Sequence, residues 1–357
     1  MINKITLWGA SLSVALVGAW TGSASAAAPV GNTTQKGSLL IFPRVDVSSG
    51  KTTIIRITNA VSAIVDVKCY FMDVEKNKVD FQFRLTENQP FWFDAATGQG
   101  TKTVQSFPTQ GGHYTGELKC WAVNDNGTRQ ISWNQLVGSA TVFDFENSAA
   151  YEYNAWAFQA MRPQGETVGS EQGRLNLNGV DYDLCPKRLI GNFTPVGRFA
   201  KYGEDGDSVF YEDTELTVAS CKQDLRQDFE WRATKLAFNV WNEDEVKFTG
   251  AHECADSWHE TLLSEVETAG QNFLAAFLKT DSAFYRVEGI KSTVCDNVVH
   301  PGTLAKNTGL TGVQVTLLEL NSATGTRGFA KAGTTLHGGG TMPGFILWDP
   351  SDESEKQ

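Results

Sequence analysis

Short runs of alternating apolar and polar residues recur along nearly the whole chain, and this period of two restricts the fold more than any other feature. In the first half they are "GSLLIFPRVDV" (37–47), "KTTIIRITN" (51–59), "AIVDVKCYF" (63–71), "DFQFRLT" (80–86), "PFWFDA" (90–95), "GELKCWAV" (116–123), "GSATVFDF" (138–145) and "YEYNAWAF" (151–158). Rich in Val, Ile, Thr and aromatic residues, with turn residues between, such runs read as the strands of an all-β sandwich. Pro43 has no amide hydrogen for a ladder, which places it at an edge or a bulge.

The stretch 162–175, "RPQGETVGSEQGRL", is polar and glycine-bearing and reads as a linker. Strand-like runs return beyond it in "TKLAFNVWNEDEVKFTG", "SAFYRVEGI" and "GVQVTLLEL". The expectation is therefore mainly all-β: two immunoglobulin-like β-sandwich domains, at 37–161 and 176–349, after a flexible segment at 27–36. One stretch breaks the alternation. Trp258, Leu262 and Val266 stand at helical spacing, and Ser257 with Glu260 three positions on has the form of a capping box, so a short helix is expected near 257–269.

The N-terminus carries Lys4, an apolar run from Ile5 to Trp20, and small residues ending in Ala24-Ser25-Ala26. That is the pattern of a signal peptide over 1–26, and the apolar run is short for a membrane span of roughly 20 apolar residues. The mature chain is expected to be exported, periplasmic or extracellular, with an acidic tail at 350–357 and no membrane span. A formal net charge of −11 repels phosphate backbones and argues against nucleic acid as a partner.

Six cysteines in an exported chain point to disulfides, although spacing alone leaves their pairing open. Alternation puts Val65, Val67, Cys69 and Phe71 on one strand face, and Leu118, Cys120 and Ala122 on another. A Cys69–Cys120 bridge would then staple a sandwich across its core, as in immunoglobulin-type domains. If the others also pair with sequence neighbours, the bridges are Cys185–Cys221 and Cys254–Cys295.

Together "KGSLLIFPRVDV", "DFQFRLTENQP", "YNAWAF" and "TKLAFNVWNEDEVKFTGAHEC" resemble a group of uncharacterised exported bacterial β-rich proteins of no established function. The resemblance covers most of the mature chain and implies no activity. It also implies a second cysteine where this chain has Ser257, so a dithiol or metal role there is not carried over.

Three chemistries have candidate residues in the chain. His252, Cys254 and His259 are candidate zinc ligands, but their spacing is irregular and an oxidised Cys254 cannot ligate. Acidic residues at 203–215 suit a hard cation without matching a calcium-loop spacing. "TLHGGGT" contains the H-G-G-G of an oxyanion loop, but the chain has no G-x-S-x-G elbow, which leaves a flexible glycine loop. No motif calls for a cofactor. In "PFWFDA" and "KCWAV" the alternation sets Trp92 and Trp121 opposite core residues, as an exposed aromatic platform for glycans or envelope proteins. The sequence thus reads as an exported, non-catalytic binding or structural protein. The alternative is an extracellular enzyme acting on carbohydrate.

Overall fold

A computed structural model of the chain describes residues 28–202, 206–226, 231–325 and 327–351. The signal-peptide reading at 1–26 and nearly all of the acidic tail lie outside the described residues.

The first half contributes β1 (Leu39–Asp46), β2 (Lys51–Asn59), β3 (Val65–Asp73), β4 (Lys78–Leu85) and β5 (Pro90–Asp94). It continues with β6 (Thr115–Val123), β7 (Leu136–Asp144), β8 (Ala149–Asn154) and β9 (Trp156–Phe158). These make two sheets, ordered β4-β3-β6-β1-β9 and β5-β2-β7-β8. Between them lies an apolar cluster that includes Leu40, Phe42, Ile57, Phe71, Phe83 and Phe93.

The second half begins with β10 (Arg174–Leu177), β11 (Cys185–Phe193), β12 (Arg198–Tyr202), β13 (Asp207–Ser220) and β14 (Lys222–Asp224). Then come β15 (Thr234–Asn242), β16 (Lys247–Phe248), β17 (His252–Ala255), β18 (Trp258–Leu262) and β19 (Ala283–Ile290). The last strands are β20 (Leu310–Asn321), β21 (Arg327–Thr334), β22 (His337–Met342) and β23 (Gly344–Leu347). They form three sheets: β10-β23-β14; β16-β15-β19-β11-β22 with β17 also on β15; and β12-β13-β20-β21 with β18 also on β13.

The protein is mostly β, but the expected pair of immunoglobulin-like sandwiches is not the architecture. Five small sheets take a five-bladed, propeller-like arrangement, without the sequential strand order of a simple meander inside each blade. The physical reason is visible in the first sheet. A sandwich leaves the outer face of each sheet to water, but every residue of β1 and of β3 is buried. Leu39, Ile41, Tyr70, Met72 and Trp121 on its other face join a second cluster with Leu189, Leu216 and Trp348, so one core runs from the first half into the second.

The expected helix near 257–269 is also absent. Trp258–Leu262 is strand β18, antiparallel to β13 with Thr217 opposite Glu260. Ser257 does not cap: its hydroxyl receives the Lys76 ammonium. The one α-helix among the described residues is a single turn, Ala275–Leu278. Likewise "HGGG" is no loop. It lies in β22 against β11, where a Cβ at Gly338 would come within 2.8 Å of Pro186 Cγ, so only glycine admits the close pairing.

The structure bonds Cys69 to Cys120, Cys185 to Cys221 and Cys254 to Cys295. Cys69 and Cys120 sit directly opposite on neighbouring strands of one sheet, with Cα atoms 4.1 Å apart, so this bridge does not cross a sandwich core. The loops closed span 51, 36 and 41 residues. On loop entropy each bridge contributes about 4 kcal/mol. Three disulfides mark the protein as one adapted to an exported, oxidising environment. No helix among the described residues is long and apolar enough to cross a membrane.

Candidate binding cavity

Pro43 interrupts the β1 ladder, and its pairing to β6 shifts register between Phe42 and Val45. A bulge of this kind re-aims a side chain. Here it sends Arg44 out of the first half and toward β13 and β18. The turn is held on both sides: Tyr153 donates its hydroxyl to Arg44 O, and Trp258 Nε1 donates to Pro43 O at 2.6 Å.

Arg44 is buried and gathers the carboxylates around it. Its Nη1 lies 2.9 Å from Glu215 Oε1, and its Nη2 lies 3.3 Å from Glu260 Oε1 and 3.4 Å from Asp46 Oδ2. Nη1 also donates to Thr217 Oγ1 at 2.9 Å. Lys51 completes the group, 3.1 Å from Asp46 Oδ2. The pairing of β13 with β18 places Glu215 and Glu260 diagonally on the same sheet face, where both carboxyl groups reach the one Arg44 guanidinium.

Two neighbouring buried carboxyl groups cannot both ionise cheaply, and the surroundings decide between them. Burial pushes the Glu260 carboxyl up, against the pull of Arg44, and the neighbouring Glu215 carboxylate adds to the rise, to about 8. For Glu215 burial is outweighed by the Arg44 guanidinium and by hydrogen bonds from Glu260 and Arg44, so its carboxyl stays below the usual range. Asp46 is likewise held low, with burial overcome by Arg44, Ser48 and Lys51. At neutral pH Glu260 is the protonated member, and two cations face two carboxylates. A charge group removed from water is tolerable only when matched in this way.

The group forms one wall of a cavity of about 530 Å³ at the junction of the two halves. Lys51 lines it from the first half, and Glu212, Glu215 and Glu260 from the second. Leu318 and a half-exposed Phe329 supply an apolar side. Lys331 closes another edge while paired to Asp144 at 2.9 Å. That contact, with hydrogen bonds from Asn147, outweighs burial and holds the Asp144 carboxyl down to about 2. Concave junctions with a few convergent polar groups are the usual seats of small ligands.

The aromatic and zinc candidates singled out by sequence lie elsewhere. Trp92 is 48% exposed on β5, while Trp121 is fully buried on β6, in a different sheet, with ring centroids 5.3 Å from Tyr70 and 5.4 Å from Trp348. Trp121 therefore cannot act as an exposed platform: the face opposite Cys120 is covered by the second half. The zinc candidates are also dispersed. Cys254 is bonded to Cys295, His252 Nδ1 lies 2.9 Å from Gly250 O, and His259 Nε2 lies 2.9 Å from Glu253 Oε1. Among the described residues no group of three or more His, Cys, Asp and Glu is arranged to hold a metal. Of the acidic stretch at 203–215, Glu212 and Glu215 line the cavity and Asp213 receives the Ser264 hydroxyl, all from β13 rather than a loop.

Sequence reasoning missed Arg44, saw Glu215 only as the end of an acidic stretch, and gave Glu260 to a helix cap. One signal was present: "FPRVD" sets an arginine and an aspartate immediately after a strand-breaking proline in an otherwise apolar run.

No family model matches the chain, and no curated protein matches it. Among solved structures it is similar to the Streptomyces avermitilis alpha-L-rhamnosidase complexed with L-rhamnose, at 9% identity and a TM-score of 0.17, over 87% of this chain. The chain spans 27% of the length of that enzyme. It is also similar to a secreted protein from Parabacteroides distasonis, at 11% identity and a TM-score of 0.17, over 80% of this chain and 86% of that one. Likenesses this low carry no argument about fold or activity.

Proposed function

We propose that the protein is an exported, non-catalytic binding protein and that its ligand is a short, uncharged saccharide held in the junction cavity. The observation that carries this reading is that Glu215 and Glu260, both at the cavity wall, are held on adjacent nitrogens of the single Arg44 guanidinium. Glycoside hydrolysis needs its two carboxyl groups about 5 Å apart or more, one on either side of the scissile bond. Here the space between the two carboxyl groups is taken by the Arg44 guanidinium, which leaves no room for a sugar between them. What the pair offers is hydrogen bonding from a fixed geometry: Glu260 as a donor at neutral pH and Glu215 as an acceptor.

The rest of the wall fits the same ligand class. Sugar hydroxyls match carboxylates and lysines, and the apolar face of a pyranose matches Leu318 and Phe329. Anionic ligands are disfavoured, because Lys51 and Lys331 are already paired to Asp46 and Asp144 while Glu212 and Glu265 add negative charge at the wall.

The carbohydrate-enzyme reading draws on one fact, since a carboxyl raised to about 8 has the protonation state of a general acid. Both readings meet in one experiment. Purified protein is applied to a glycan array, and each bound glycan is then incubated with the protein and assayed for new reducing ends. Binding without turnover is expected, and Phe329→Ala should weaken it about tenfold. Turnover abolished by Glu260→Gln would establish the enzyme instead, and an array without any bound glycan would remove the saccharide reading.

A further inference from the structure

All three disulfides join residues of the same half: Cys69–Cys120 in the first, and the other two in the second. The halves nevertheless share a continuous core. Where β6 of the first half meets β14 of the second is a buried group that neither the cavity nor the disulfides account for. Glu117 and Lys119 alternate on β6, so both side chains leave the same sheet face, and β14 brings Gln223 onto them. Glu117 Oε2 receives the Lys119 ammonium and Glu117 Oε1 receives Gln223 Nε2. One carboxylate therefore holds an amine on one oxygen and a carboxamide on the other.

We propose that Lys119 and Gln223 become joined by an intramolecular isopeptide bond, formed by the folded chain itself with Glu117 as the catalytic residue. Burial is the first support. Glu117 and Lys119 have no exposed surface and Gln223 has 1%, so competing water is excluded from any acyl transfer there. The amide oxygen of Gln223 is the second: it is buried without a hydrogen-bond partner among the described residues. A carboxamide half satisfied in this way is costly as a purely structural contact. The amine supplies a third argument. Burial pulls the Lys119 ammonium below its ordinary range against the attraction of Glu117, and the nearby Lys76 adds to the fall. Passing its proton to Glu117 leaves the neutral nucleophile that the reaction needs.

The chemistry balances without an oxidant or cofactor. The Lys119 Nζ lone pair attacks Cδ of Gln223 and forms the new C–N bond. Glu117 takes a proton from the attacking nitrogen and gives one to the departing amide nitrogen. The original Cδ–Nε2 bond breaks, ammonia leaves, and a secondary amide remains. The link would fasten β6 to β14, a covalent tie between the halves that the disulfides do not provide.

The test is peptide mapping of the purified full chain. Reduced and alkylated protein is cut with a protease that spares lysine, which keeps Gln223 internal, and the fragments are sequenced by mass spectrometry. The expected result is a branched peptide carrying Lys119 and Gln223, lighter by one ammonia than its two linear parts. Gln223→Glu should give the same branch with loss of water. Glu117→Ala should give the two linear peptides. Linear peptides with unmodified Lys119 and Gln223 from the unaltered protein would overturn the proposal, whatever the variants do. A branch that persists in Glu117→Ala would overturn the role given to Glu117.

Discussion

The first sheet presents two faces that obey different physics. On one, Val67, Cys69, Phe71, Leu118 and Cys120 stand beside Phe81 and Phe83 of β4 and face Phe91 and Phe93 of β5 in the opposite sheet, with Phe83 stacked on Phe91 at 4.2 Å between centroids. On the other, Lys68, Glu117 and Lys119 are as deeply buried as the apolar residues beside them. Arg44 leaves the same sheet at its bulge to enter the charged group at the cavity. The apolar face is stabilised by area removed from water and by close packing. The polar face has to match every charge it hides, which makes it a weaker source of stability and a stricter one of geometry.

The largest expected effects set the two faces against each other. Arg44→Met strands Asp46 and Glu215 in the interior, at a cost of about 4 kcal/mol near pH 7. Phe83→Ala opens a cavity in the phenylalanine cluster and costs about 3 kcal/mol. The distinguishing measurement is urea unfolding of both variants at several pH values. Asp46 and Glu215 have depressed carboxyl pKa values in the folded protein. Their stabilisation is present above the unfolded-state value and is lost as pH falls through the folded one. The Arg44→Met deficit should therefore shrink on acidification, while the Phe83→Ala deficit stays nearly constant. Parallel deficits would mean that the charged group contributes only through packing.

Glu260 gives a smaller effect of opposite sign. Its folded-state value, about 8, lies above that of the unfolded chain. Keeping the proton is a contribution complete at low pH, and it is lost as pH rises from about 4.3 in the unfolded chain through the folded value. Glu260→Gln keeps the neutral shape and does not ionise, so thermal melts should coincide with the unaltered protein near pH 4. Above pH 8 the variant should be the more stable, the gap having opened steadily as pH rises from about 4.3. A variant of unchanged or lower stability at high pH would show that Glu260 is ionised in the fold.

The contrast also explains how much of the molecule could be read from its sequence. The first eight alternating runs coincide with strands, and the phenylalanine face follows from period two alone, because apolar residues on one side of a strand need only be inside something. That Lys68 is buried follows from nothing in "AIVDVKCYF". It depends on the far end of the chain, where the Trp348 ring lies 5.2 Å from the Lys68 ammonium. The same limit explains the missing helix. Trp258 and Leu262 are four apart and also an even number apart, so "WHETL" satisfies both periods, and the pairing of β18 with β13 decides. Of the site, "FPRVD" was legible as an anomaly, whereas the meeting of Arg44 with Glu215 and Glu260 requires three strands that only the tertiary fold brings together.

Trp92 is where the smallest effect is expected, and it separates exposure from function. It stands on β5, the edge strand of its sheet, with 48% of its surface in water and Phe91 and Phe93 turned into the core on either side. Trp92→Ala removes little buried area, so stability should change by less than about 0.5 kcal/mol. Binding confined to the junction cavity should be untouched, because neither Trp92 nor β5 lines it. Titrating one array-identified glycan into the Trp92→Ala and Phe329→Ala variants resolves the two surfaces. Loss in the second alone places recognition at the covered, charged junction, and loss in the first would return it to the aromatic edge of the first half.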